Sequence, residues 1–172
     1  MNPMLRRSNA LLLPALLSVL AGCDASNPER AGAQEELHCR EAHRFMVEDV
    51  DMAAVTEPDT IDDWRTDQVV PGCRVTAAGL TPNTPGTEAQ LFYDKVRAAG
   101  WTRTPDPQDA PNESSLRFRK DGSDCLFNFY VVGMLGTEAE GIVSDARVPD
   151  AQLDRYYVLA MCMPAMEAAP RG

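Results

Sequence analysis

The sequence has little of what most enzyme sites are built from. It contains only two histidines, His38 and His43, and aromatic residues make up 6% of the chain. A nucleophile-elbow turn, a His-Glu-x-x-His helix and a Walker-type phosphate loop are all missing, so no motif of a hydrolase, a zinc protease or a P-loop NTPase is present. The sequence therefore predicts a protein that is not an enzyme. A small hydrolase remains an alternative, and it would have to recruit a histidine from the first helix.

Long hydrophobic runs are also missing after the first 22 residues. A membrane-spanning helix needs about 20 apolar residues, and the main apolar stretch is the short one at residues 10–21, which follows Arg6 and Arg7. This stretch contains Pro14 and ends on small residues, which is the pattern of a secretory signal. We expect residues 1–22 to be a signal peptide, and no spanning helix to follow it.

The predicted cleavage point carries a cysteine that an ordinary signal does not require. The residues around it read Leu20-Ala21-Gly22-Cys23 and resemble the lipobox of bacterial lipoproteins. The resemblance covers about the first tenth of the chain. It implies a diacylglyceryl group on the sulfur of Cys23, removal of residues 1–22 and acylation of the new amino group. It also implies attachment to a bacterial cell membrane on its periplasmic side, and Asp24 favours the inner membrane, as in enteric bacteria.

Negative charge exceeds positive charge, with 26 Asp and Glu against 16 Lys and Arg and a formal net charge of −10. This excess argues against nucleic acid as a partner and against electrostatic binding to anionic lipid. Membrane attachment is therefore expected to depend on the acyl chains of Cys23, of which two or more give stable anchoring. Acidic residues crowd between positions 48 and 67, but the spacing of a calcium-binding loop is missing.

Four cysteines remain if Cys23 carries lipid, and none of them forms the Cys-x-x-Cys pattern of a redox motif or a zinc ribbon. An even number in an exported chain predicts disulfides. Cys39 is expected in the first helix and Cys73 in a strand beneath it. Cys125 and Cys162 are expected at strand ends that antiparallel pairing brings together. We therefore predict the disulfides Cys39–Cys73 and Cys125–Cys162.

Two clusters have metal-ligand chemistry. In the first, Cys39 and His43 lie one helical turn apart with His38 beside them, a spacing that suits zinc or copper. The second cluster consists of Met161, Cys162, Met163 and Met166, whose sulfurs suit Cu(I). Disulfide formation competes with the first interpretation, which also lacks the roughly four ligands of a stable site. In the second cluster, Met161 and Met163 would point away from Cys162 on a strand, and core or edge packing competes with copper binding. No cofactor is predicted, and a periplasmic copper- or zinc-binding protein remains an alternative function.

Hydrophobic periodicity predicts a first helix at residues 34–55, broken at 56–64, and a second at 85–99. The second has Thr84 at its N-cap, Pro85 at its first position and Gly100 at its end. Strands are predicted at 68–79, 101–104, 115–120, 125–133 and 154–163, and an Asp-Gly turn joins the middle hairpin. Residues 134–151 are expected to form a loop holding a short strand at Ile142-Val143.

These elements predict an α+β two-layer domain at residues 34–166, with two main helices on an antiparallel sheet of about four to five strands. Residues 23–33 would form the lipidated cysteine and a flexible tether, and residues 167–172 a frayed tail. The layout is similar to that of many small bacterial envelope lipoproteins. We expect a non-catalytic interaction or assembly module that faces the periplasm, attached to the membrane by lipid on Cys23, with an envelope protein as its partner.

Overall fold

The computed structural model describes residues 36–63, 65–104 and 115–166. The predicted signal, Cys23, the tether and the frayed tail lie outside these residues. The described part has a mixed α+β fold built on one six-stranded sheet. The strands are β1 (Ala53–Asp63), β2 (Gln68–Thr81), β3 (Thr102–Arg103), β4 (Ser115–Lys120), β5 (Ser123–Tyr130) and β6 (Asp154–Pro164).

The described residues contain three helical segments. The N-terminal helical segment consists of a 3₁₀ turn (Leu37–Cys39), the α-helix α1 (Arg40–Arg44) and a π-helix (Phe45–Asp49). Helix α2 is Pro85–Ala98 and helix α3 is Glu138–Ala146. Within the described ranges, no helix is long and apolar enough to span a membrane.

The sheet has the order β1-β2-β6-β5-β4-β3, and every neighbouring pair is antiparallel. Six strands are present rather than the predicted four to five, because β1 forms where a helix and a break were expected. The helical segment ends at Asp49, and Asp51 adopts a positive φ of 59° before β1 begins. Pro58 is tolerated inside β1 because this is an edge strand, where a missing N–H breaks no ladder bond.

Helices pack on both faces of the sheet, although the prediction had helices on one face only. One face carries the N-terminal helical segment and α2 over the main core, which includes Val75, Phe127 and Val158. The opposite face, called the far face here, carries α3 over a smaller cluster of Ala78, Val143 and Tyr157. Because side chains alternate along a strand, neighbours such as Ala77 and Ala78 belong to different clusters.

The predicted second helix is confirmed, with Thr84 at its N-cap position. Its end forms both hydrogen bonds of a Schellman motif. Gly100, at φ 87°, donates its N–H to the Arg97 carbonyl at 3.0 Å, and Trp101 donates to the Val96 carbonyl at 3.3 Å. Trp101 is thereby turned into the core, edge-on to Phe127 at 5.3 Å.

The β4–β5 hairpin is also confirmed. Its two turn residues, Asp121 and Gly122, have φ angles of 48° and 77°, as the two-residue turns of hairpins require. The short strand predicted at Ile142-Val143 is wrong, and so is the loop prediction for the middle of residues 134–151, since α3 occupies Glu138–Ala146. The hydroxyl of Thr137 accepts the N–H of Glu140 at 3.2 Å and caps the helix. Within α3, Val143 is buried against the sheet and Ile142 is exposed.

Both predicted disulfides are present, and all four cysteines are buried. The Cα atoms are 5.9 Å apart in Cys39–Cys73 and 4.1 Å apart in Cys125–Cys162. Cys162 is the register partner of Cys125 on β5 and of Cys73 on β2. The bridges therefore join the N-terminal helical segment to the sheet and β5 to β6 at one level of the core.

The end of the β1–β2 hairpin folds across the far face. Arg65, in the β1–β2 turn, donates to the carboxylate of Asp63 at 3.0 Å and to that of Asp124 on β5 at 3.2 Å. Arg117 on β4 pairs with Asp63 at 3.5 Å. Three strands separate β1 from β4, which is about 19 Å in a flat sheet. The ion pairs therefore hold the hairpin end curled over the sheet, with all four side chains almost fully buried.

Candidate functional site

Exposed apolar side chains concentrate in one part of the described structure. Ten large hydrophobic residues are exposed over all the described ranges, and six of these lie between positions 131 and 148. Four belong to the connection between β5 and α3, which we call the apolar loop (residues 131–135). The six residues are Val131, Val132, Met134, Leu135, Ile142 and Val148.

The main chain of the apolar loop is held in place by Glu140 on α3. The carboxylate of Glu140 accepts the backbone N–H groups of Met134 at 3.0 Å, Leu135 at 3.0 Å and Gly136 at 2.9 Å. Successive N–H groups that converge on one anion form a nest. Burial raises the pKa of Glu140, but these hydrogen bonds lower it more, and the net pKa lies below its usual value. The loop is therefore fixed in its main chain while its side chains stay exposed.

A cleft of about 380 Å³ lies beside the apolar loop, between the start of α2 and the ends of β2, β5 and β6. Its lining includes the rings of Phe129 and Tyr156, which stack 5.3 Å apart, together with Val131 and Val132. The Tyr156 ring lies against Gly79, where a Cβ atom would come within 2.6 Å of the ring. Glycine at position 79 is thus what allows this aromatic wall to form.

The cleft also contains a buried carboxylate, that of Glu88 on α2. It accepts hydrogen bonds from the Thr81 hydroxyl at 2.6 Å and the Asn83 amide at 2.8 Å. Burial and the charge of Glu88 raise the pKa of Tyr156. No cation in the described ranges forms an ion pair with Glu88. An apolar recess with a few fixed polar groups is the usual character of a binding site.

A second hollow of about 390 Å³ lies on the other side of the apolar loop. It is lined by Tyr130, Met134, Leu135, Leu159 and Met161, among others. The apolar loop therefore forms a ridge between two hollows. Methionine side chains adapt their shape to different partners, and Met134 is exposed on this ridge.

The apolar loop and the first described residues lie at opposite ends of β5. His38 is hydrogen-bonded to Ser123 at 2.9 Å, and Ser123 is the first residue of β5. The apolar loop begins directly after Tyr130, the last residue of the strand. A strand of this length spans about 25 Å, so the chain enters the fold far from the apolar loop and the cleft.

The structure does not bring the predicted metal ligands together. Cys39 is bridged to Cys73, His38 contacts Ser123, and the imidazole of His43 bonds the Thr56 hydroxyl at 2.9 Å. In the part of the chain that the structure describes, no group of three or more His, Cys, Asp or Glu residues could hold a metal ion.

The C-terminal sulfur cluster is also divided. Cys162 lies in the main core and forms a disulfide, as strand alternation and pairing predict. Met163 lies on the far face, where its sulfur is 3.9 Å from the guanidinium of Arg117. Cys162 and Met163 therefore point to opposite sides of the sheet and cannot bind the same metal ion.

The contact between His38 and Ser123 is the arrangement that the hydrolase alternative would need. However, Ser123 is buried, and burial lowers the pKa of His38. Among the described residues no carboxylate hydrogen-bonds the remaining ring nitrogen, which a catalytic triad requires as its orienting group. The hydrogen bond between them joins the N-terminal helical segment to β5.

The sequence did carry a signal for Glu140, because Thr137 and Glu140 have the spacing of a helix capping box. The adjacent β-branched residues Ile142 and Val143 suggested a short strand in this segment instead. Nothing in the sequence places Glu88 beside Tyr156, since that contact depends on packing between α2 and β6. In comparisons with known proteins, no family model, no curated protein and no solved structure matches this chain.

Proposed function

We propose that this chain is a lipid-anchored bacterial envelope protein whose α+β domain binds a protein partner on the periplasmic side and catalyses no reaction. The observation that carries the proposal is the apolar loop, with four exposed apolar side chains on a main chain fixed by Glu140. Single exposed hydrophobic residues are ordinary, whereas contiguous ones mark interaction surfaces. A fixed loop also loses little conformational entropy when a partner binds.

The sequence around Cys23 and the two disulfides support the envelope location. Disulfides persist in oxidising compartments such as the bacterial periplasm. The chain enters the fold at the start of β5, at the far end from the apolar loop. An anchor at Cys23 would therefore leave the loop and the cleft accessible to a partner away from the point of attachment.

The anchor is tested by Cys23→Ala. In the resembled family cleavage acts on the lipid-modified cysteine, so this variant should accumulate as uncut precursor. A Cys23→Ala protein that matures to the normal size and stays with membranes would contradict the anchor. If Asp24 is a retention signal, Asp24→Ser should shift the protein from the inner to the outer membrane fraction.

Binding through the apolar loop is tested by Val132→Asp, with Val69→Asp as a matched control. Val132 and Val69 are 70% and 67% exposed and lie in different parts of the fold. Membranes are solubilised in mild detergent, and the size of the assembly containing the full chain is measured. We expect the wild type and Val69→Asp in an assembly larger than the chain alone, and Val132→Asp released from it. A wild-type chain that migrates alone would contradict the proposal.

A further inference from the structure

The apolar loop is bordered by negative charge. The segment from α3 to the start of β6 exposes the carboxylates of Glu138, Asp145, Asp150 and Asp154. The nearby cations are engaged within the fold. Arg147 pairs with Asp51 at 3.0 Å, and Arg155 donates to the Ser144 carbonyl at 2.8 Å while lying over the Tyr157 ring.

The cleft is lined by two carboxylates, those of Glu88 and Asp154, and by one cation, Arg155, which is engaged with the Ser144 carbonyl. Glu88 supplies a carboxylate bonded to a hydroxyl and an amide, and Asp154 is exposed at the lining. The stacked rings of Phe129 and Tyr156 provide an apolar wall. Lysine and arginine place their methylene stems on apolar surface and their charge on a carboxylate or a ring face. The volume of about 380 Å³ accommodates one such side chain.

We propose that the partner is a protein surface of apolar side chains surrounded by lysine or arginine, with one basic side chain entering the cleft beside the apolar loop. This inference rests on the proposed function and adds the chemistry of the partner. A second copy of the chain is disfavoured because two acidic borders would repel. An anionic lipid surface is disfavoured by the net charge of −10 and by the position of the loop at the opposite end of β5 from the chain entry.

The inference is tested by charge reversal in the full-length chain. Asp154→Lys changes an exposed aspartate at the cleft, and Asp62→Lys changes an exposed aspartate near the end of β1 as the matched control. The readout is the fraction of chain found in the solubilised assembly as salt is raised. We expect Asp154→Lys to reduce that fraction about tenfold, wild-type assembly to weaken with salt, and Asp62→Lys to behave as wild type. Thermal unfolding of both variants checks that they fold.

Zero-length carbodiimide coupling on intact membranes identifies the partner, because it joins a carboxylate directly to an amine. The expected product links Asp154 or a bordering carboxylate to a lysine of another protein. If no coupled product forms but Asp154→Lys still weakens the assembly, the basic side chain in the cleft is an arginine, because carbodiimide does not couple a carboxylate to a guanidinium group. Coupling to a lipid amine or to a second copy of the chain would overturn the inference.

The proposed function and this inference fail in different ways. If the two charge reversals behave alike while Val132→Asp still releases the chain, the partner chemistry is wrong and the interaction stands. If the wild-type chain forms no assembly, both are overturned.

Discussion

The carboxylate of Glu140 accepts the backbone N–H of Gly136 at 2.9 Å, and the same carboxylate holds the two preceding amides. One side chain on α3 thus fixes the main chain of the loop that carries four exposed apolar residues. The binding surface proposed for this protein depends on that arrangement, because the loop buries few apolar side chains that could hold it otherwise.

Replacing Glu140 with glutamine should loosen the apolar loop. The change removes the charge and one acceptor oxygen, and hydrogen bonds to a charged group contribute about 1.5–3 kcal/mol each at most. We expect hydrogen exchange of the amides of Met134, Leu135 and Gly136 to accelerate about tenfold or more. Glu138→Gln, on the same helical turn, should change these exchange rates little. Unaltered exchange in the Glu140 variant would show that other contacts hold the loop.

Lowering the pH should also loosen the apolar loop, because it protonates the same Glu140 carboxylate. The folded pKa of Glu140 lies below the ordinary value of 4.5, so its contribution to stability is complete above that value. It is lost as the pH falls through the lower folded pKa. The amide shift of Gly136 should therefore titrate with a midpoint below 4.5, and Glu140→Gln should abolish the transition. A midpoint at or above 4.5 would contradict the hydrogen-bonding pattern.

Removing Arg65 should destabilise the fold strongly. Its side chain lies between Asp63 and Asp124, which are both fully buried. Arg65→Ala removes the closest cation of Asp63 and leaves Arg117 at 3.5 Å, whereas Asp124 keeps Arg119 at 2.6 Å. Leaving a buried charge unpaired costs about 3–5 kcal/mol, and because these two cations remain we expect the lower end, about 3 kcal/mol. Arg74→Ala, at a partly exposed pair with Glu57, should cost about 1 kcal/mol or less. Urea unfolding compares the two, and equal losses would show that the buried pairs do not hold the hairpin end.

Each disulfide should contribute substantially to stability. The bridged residues are 34 and 37 positions apart, and loops of that length give about 4 kcal/mol per bridge in the chain-entropy model. That is a large part of the 5–15 kcal/mol typical of a domain. Double alanine variants of either pair should lower the free energy of unfolding by about this amount. Peptide mapping without reduction that yields a Cys39–Cys125 peptide would contradict the pairing.

Local sequence patterns correctly predicted the elements whose structure depends on neighbouring residues. These elements are helix α2, its glycine ending and the Asp121-Gly122 hairpin. Strand β1 was not predicted, because Pro58 suggested a break after a helix. Proline fits inside β1 because this strand lies at the sheet edge. That position follows from the order of all six strands, which no local pattern contains.

The candidate site was harder to predict than the fold. The disulfides followed from compartment and approximate layout, but the binding surface depends on long-range contacts. The backbone amides at 134–136 meet Glu140 only because α3 exists, and Arg65 reaches Asp124 only because the hairpin end curls over the sheet. A run of apolar residues such as 131–135 also resembles the continuation of a buried strand until its exposure is known.

The most direct measurement is photocrosslinking in intact cells, with a photoreactive amino acid at position 132 and, as control, at position 69. The wild-type chain should give a strong protein adduct from position 132 and little from position 69, and adding Glu140→Gln should weaken the first without changing the second. Equal yields at the two positions, or adducts at position 132 that contain only lipid, would contradict a fixed apolar loop that binds a protein partner.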